Sequence, residues 1–188
     1  MSTATPLMTA EEMLALPDNG MERDLIEGHL RERPVTIRGW RHAEATIACG
    51  SLLRNWLKQQ PSPRGKVIGG EAGVRLTSDP DTTVGIDVAY IPASLIPSAS
   101  QGSLLINGVP ILAAEVLSPS DTHESITEKI ELYLRVGIRQ VWIIDPDLRT
   151  VTVHRPDAEP TFFSAKQELP GGPELPGFRM KVGELFDL

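Results

Sequence analysis

The chain has 188 residues, 40% hydrophobic and 23% charged, with 25 acidic against 18 basic side chains and a net charge of −7. That mix suits one globular domain over residues 1–188 and argues against a fibrous or disordered chain. A single cysteine excludes an internal disulfide, no apolar stretch approaches the roughly 20 residues of a membrane span, and no leader-like start is present, so a cytoplasmic protein is expected.

Thr9 with Glu12 forms a capping box for a short helix that Pro17 stops. Arg23 to Ile26 and His29 to Arg33 flank Glu27-Gly28, the pattern of a β-hairpin. A loop through Pro34 and Gly39 leads to a helix from Trp40 to Lys58. Apolar residues at 40, 43, 47, 52, 53 and 56 fit helical spacing there, though loosely. Cys49 lies inside that helix and reads as a small core residue. Residues 31 to 66 hold eight basic and two acidic side chains, a local net of +6 that leaves the remainder at −13. A basic segment on an acidic body is compatible with a phosphate-binding face, with Arg38, Arg41 and His42 at the helix start as candidate contacts. A solvated helix surface, with His42 as a cap, is the plainer alternative.

The stretch Gln60 to Gly65 breaks the chain, and a strand from Lys66 to Leu76, a turn at Asp79-Pro80-Asp81 and a second strand follow. In Val84-Gly85-Ile86-Asp87-Val88-Ala89-Tyr90-Ile91 only Asp87 interrupts the apolar run. A Ser-, Pro- and Gly-rich loop fills Pro92 to Gly108. From Ile111 to Leu117 every residue is apolar or small except Glu115, as in a strand covered on both faces. Ser118 to Asp121 makes a turn, Asp121 and Glu124 can cap a helix, and Gly137 ends it. On a helical wheel Ile126, Ile130, Tyr133 and Leu134 define the core face. Lys129 lies on its flank, and Glu128, Glu131 and Arg135 face solvent, with Glu131 and Arg135 as an i,i+4 pair. Lys129 is thus the one helix charge that can lean over the strand towards Glu115. Strands at Gln140 to Asp145 and Thr150 to His154 follow, then a Pro- and Gly-dense tail ending in a turn of helix at Val182 to Phe186.

Two acids on neighbouring apolar strands need an explanation. At 4–5 Å and an effective dielectric near 20 they would repel by roughly 3–4 kcal/mol. A shared divalent cation removes that penalty, and hard oxygen ligands favour Mg²⁺ or Mn²⁺. The alternative is a structural ion pair, each acid held by arginines with Lys129 as a snorkelling flank charge. Phosphate loops, a zinc-helix motif and a nucleophile-elbow serine are all missing from the sequence.

These residues carry a resemblance. Asp87, then E-V-L-S-P-S-D from Glu115 to Asp121, then K-I-E-L-Y-L-R-V-G-I-R-Q-V-W-I-I-D-P from Lys129 to Pro146, resembles the Uma family of restriction-endonuclease-fold proteins in the PD-(D/E)xK nuclease superfamily. M-T-A-E-E-M-L-A-L-P from Met8, D-L-I-E-G from Asp24 and L-P-G-F-R-M-K-V-G-E-L-F from Leu175 extend the likeness over nearly the whole chain. The resemblance implies a core of helix, strand, strand, strand, helix, strand over residues 40–145, an α/β fold with a mixed sheet flanked by helices, preceded here by the N-terminal helix and hairpin. It implies an Mg²⁺-dependent endonuclease acting on DNA, with Asp87 and Glu115 on the metal and Lys129 as the catalytic lysine. Superfamily sites often recruit a further acid, for which Glu44, Glu71 and Glu27 are the candidates. Ile86 replaces the motif proline, and Leu117 occupies the usual lysine direction, leaving Lys129 on the helix to replace it. A non-catalytic nuclease-fold module binding nucleic acid or a protein is the alternative. Cutting both DNA strands takes two sites, so a homodimer is expected.

Overall fold

The structure is a computed structural model describing residues 6–35, 37–98 and 104–187. Its elements begin with helix α1 (Ala10–Leu14), capped by Thr9 and Glu12 as the sequence suggests, and the hairpin β1 (Met21–Ile26) and β2 (His29–Pro34). Helix α2 runs from Trp40 to Lys58. Strands β3 (Lys66–Thr77) and β4 (Thr82–Ile91) form a long antiparallel hairpin. Part of the expected 92–108 loop is a 3-10 helix at Ala93–Ser98 and a short strand β5 (Ile106–Asn107), while residues 99–103 lie outside the described residues. Strand β6 (Leu112–Val116), helix α3 (His123–Arg135) and strand β7 (Gln140–Asp145) complete the expected order, and β8 (Thr150–Arg155) follows.

The result is a mixed, mostly antiparallel sheet ordered β2-β1-β4-β6-β7-β8-β9, where β9 is Ala158–Ser164, with β3 on the other edge of β4 and, among the described residues, only β6–β7 and β3–β5 parallel. The parallel β6–β7 pair needs a crossover, which α3 supplies. Helix α2 and the C-terminal segment cover one face, through Leu53, Trp56, Val88, Ala114 and Trp142. Helix α3 covers the other, through Leu132, Tyr133, Ile86, Ala113 and Val141. Every residue of β6 is buried, which explains its unbroken apolar run.

Three features differ from the sequence reading. Strand β9 (Ala158–Ser164) and a separate hairpin of β10 (Glu168–Pro170) and β11 (Arg179–Lys181) occupy ground read as loop and tail. The cap of α3 is Thr122 with Ser125, because Asp121 turns back to accept from Ser118 N at 2.7 Å. The buried seam of α2 is His42, Ala45, Cys49, Leu53 and Trp56, whereas Trp40 and Ile47, which the apolar spacing sets in the core, are each 69% exposed.

Candidate active site

The site forms where the sheet forks. Along one edge β4 is paired throughout by β3; on the other, β1 pairs at Thr83 and β6 at Val88 to Tyr90. The β4 residues between those two partners face a gap, and Asp87 lies in it. Continuing the β4–β6 register by one residue sets Asp87 opposite Glu115. A bulge opposite sharpens the geometry. Gly69 pairs with Val88 and Ala72 with Ile86, so Gly70 and Glu71 both oppose Asp87, at φ values of 79° and 55°. Ile86 and Val88 accordingly join opposite cores, and the strand alternation breaks at Asp87.

Each acid is held by a distinct set of donors. Asp87, 6% exposed, accepts from Val116 N at 2.9 Å and lies 3.4 Å from His42 Nε2, both at Oδ2. Among the described residues its Oδ1 takes no hydrogen bond, and Asp87 lines the cleft over the site. Burial pushes the Asp87 carboxyl up, but the hydrogen bonds from His42 and Val116 outweigh it and hold the group below the usual carboxylate range. His42 is reciprocally held above its usual range by the Asp87 hydrogen bond, against the opposing effect of burial.

Glu115, 5% exposed, is clamped by α3: Lys129 Nζ donates to Oε2 at 3.0 Å and the Tyr133 hydroxyl to Oε1 at 2.7 Å. Lys129 and Tyr133 are i,i+4 neighbours, so one turn of α3 presents both donors to one carboxylate. Burial raises the Glu115 pKa, the Lys129 charge opposes this, and the Asp87 charge adds to it. Lys129 is also raised: burial acts against its charge, but Glu115 more than compensates.

A cleft of about 350 Å³ opens over these groups, and its lining also includes Glu22, Arg33, Arg38, Glu71 and Ser120. Arg38 bonds Glu71 and lies 3.0 Å from Glu22, so the mouth carries both signs of charge. The structure therefore brings together Asp87, Glu115, Lys129, His42, Arg38 and Glu71. It does not bring Glu27, Arg41 or Glu44 into the cleft lining. Glu27 sits in the β1–β2 turn at φ 51° and pairs with Arg135 at 2.9 Å, displacing the expected Glu131–Arg135 pair. Arg41 pairs with Asp147 at 3.0 Å on the surface. His42 is a buried partner of Asp87 and not a cap. Neither Glu22 nor the Tyr133 hydroxyl stands out in the sequence: Glu22 alternates among other charges on a hairpin, and Tyr133 satisfies the core pattern without its hydroxyl.

The donor chemistry fits a hard divalent cation. Asp87 and Glu115 are buried carboxylates on adjacent strands that both line the open cleft, whereas the buried Asp81, held by Arg75 at 3.0 Å and Ala10 N at 2.7 Å, does not line it. Among the described residues no group of three or more His, Cys, Asp or Glu side chains is disposed to hold a metal ion, so a cation bound here would have Asp87 and Glu115 as its protein ligands and would fill its shell with other oxygens.

Helix, three strands, helix and strand, with acids on the second and third strands of the core, define a restriction-endonuclease-like fold. The chain belongs to the Uma2 family, described as "Putative restriction endonuclease", whose model matches residues 10–183. A solved structure from Anabaena variabilis, described as a putative nuclease belonging to DUF820, is 25% identical and superposes with a TM-score of 0.77, covering 95% of this chain and 97% of that one. No curated protein matches the chain significantly. No helix among the described residues is long and apolar enough to cross a membrane.

Proposed function

We propose that the chain is an Mg²⁺- or Mn²⁺-dependent endonuclease that hydrolyses phosphodiester bonds of DNA, with Asp87 and Glu115 holding the metal and Lys129 as the catalytic lysine. One observation carries the reading. Leu117, just past β6, takes the place of the superfamily's lysine, and the reading is supported by Lys129 on α3, whose ammonium lies 3.0 Å from Glu115. Bound there, the ion would polarise a phosphoryl oxygen and lower the pKa of a water. Lys129 supplies a fixed positive charge where the phosphorane gains negative charge. Tyr133 and His42 orient the two carboxylates, as partners outside a metal's own ligand set do. Arg38, at the mouth, can leave its carboxylates for a substrate phosphate, a bidentate partner that suits a guanidinium. Double-strand cleavage would take two such sites, which a homodimer supplies.

Manganese titration followed by electron paramagnetic resonance tests the metal assignment. One bound ion in wild type, absent in Glu115→Ala, is the expected result. Equal binding by both proteins would remove it. The small protein ligand set favours one competing reading, a non-catalytic module that binds nucleic acid. Such a module would keep its nucleic-acid affinity in Glu115→Ala and cut nothing in either form.

A further inference from the structure

The outward face of α2 combines exposed apolar and basic side chains. Trp40, Ile47, Arg54 and Lys58 fall within about 40° of one another on its wheel, and the two apolar ones are each 69% exposed. The last three, with Gly50 and Ser51, form one wall of a groove of about 470 Å³, and Val67 to Gly70 of β3 form the other. No Asp or Glu lines it among the described residues; Glu44 is the one acid on that side of the helix. Neither Arg54 nor Lys58 enters an ion pair among the described residues, in contrast to Arg41, which is occupied by Asp147. The Arg41 guanidinium lies 5.4 Å from the centre of the Trp40 ring and adds a cation beside it. The groove reaches Gly70, whose neighbour Glu71 lines the catalytic cleft.

We infer that this face is a track for single-stranded nucleic acid, with unstacked bases on Trp40 and Ile47 and phosphates on Arg54 and Lys58. The inference rests on the nuclease reading and adds a substrate class to it. Charge selects the polyanion, since Arg54 and Lys58 are the charged side chains lining the groove and neither is ion-paired among the described residues. Exposed apolar side chains select unpaired bases. A duplex keeps its base faces stacked and would engage only the charges, leaving Trp40 and Ile47 in water. From Trp40 to Lys58 the helix spans about 27 Å, enough for several nucleotides.

The protein carries its own probe. Of its three tryptophans, Trp56 and Trp142 are 8% and 0% exposed, so quenching by a stacked base reports Trp40. Full-length protein in EDTA is titrated with oligothymidine and with a duplex of equal length, following emission and anisotropy. Oligothymidine should quench wild type, and Trp40→Leu should lose the quench and about ten- to a hundredfold of the affinity, in line with base–aromatic stacking. Duplex affinity should not change. Arg54→Glu combined with Lys58→Glu should weaken binding of the single strand. Undiminished oligothymidine affinity in Trp40→Leu overturns the inference, as does a wild-type dimer in sedimentation that Trp40→Leu dissociates. DNA cleavage without Trp40-dependent binding sinks the track and leaves the nuclease reading standing. Trp40-dependent binding without cleavage does the reverse.

Discussion

Glu115 is the residue whose environment is most demanding, because burial raises its pKa and Lys129 and Tyr133 are the donors that oppose this. Removing the Tyr133 hydroxyl leaves the core volume and takes one donor away. Tyr133→Phe should therefore weaken Mn²⁺ binding by roughly ten- to a hundredfold while the protein stays folded; unchanged affinity would show that the hydroxyl only fills space. His42 gives a second reading of the same centre. Its pKa is raised by Asp87, so the pair contributes stability that is fully present below the unfolded histidine value and is lost as pH rises through the folded one. In the metal-free protein an NMR titration should find the His42 imidazole titrating above the usual histidine range. Asp87→Asn should bring it down and flatten that part of the stability profile.

Two glycines separate backbone from packing at the level of elements. Gly70 in the β3 bulge has φ 79° and no atom within 4 Å of the position a side-chain methyl would take, so Gly70→Ala should cost about 1–2 kcal/mol from the left-handed backbone alone. Gly50 in α2 also has open space around it but lies in regular helix, and Gly50→Ala should stabilise by about 1 kcal/mol. Urea unfolding of both variants tests the bulge that re-aims Asp87. The elements bearing the site were legible because each broke a pattern: Asp87 and Glu115 were lone charges in apolar strands, and Lys129 was the only helix charge beside the core face. His42 stands out in the sequence as a phosphate contact, but its place as the buried partner of Asp87 was not legible, because Trp40 and Ile47 disguised the buried seam; the spacing of Ala45, Cys49, Leu53 and Trp56 sets His42 on it. The β10–β11 hairpin escaped notice because three-residue strands among prolines and glycines carry too little alternation to register.

The sheet separates two cores, and the cleft exists because two strands share one edge of β4 without meeting. Cys49 reports on the α2-side core. It has no exposure, and burial pushes its thiol up to about 12. At pH 8 it should resist a disulfide reagent in the folded protein, and its reaction in rising denaturant should follow global unfolding; rapid modification in water would mean that α2 opens on its own. The central claim is that this architecture assembles a metal-dependent nuclease whose lysine comes from a helix. Its most direct test is cleavage of supercoiled and single-stranded DNA with Mg²⁺ or Mn²⁺, by wild type beside Asp87→Ala and Lys129→Ala. Metal-dependent cutting that disappears in both variants is the expected result. No cutting with any metal, or cutting that survives both substitutions, would contradict it.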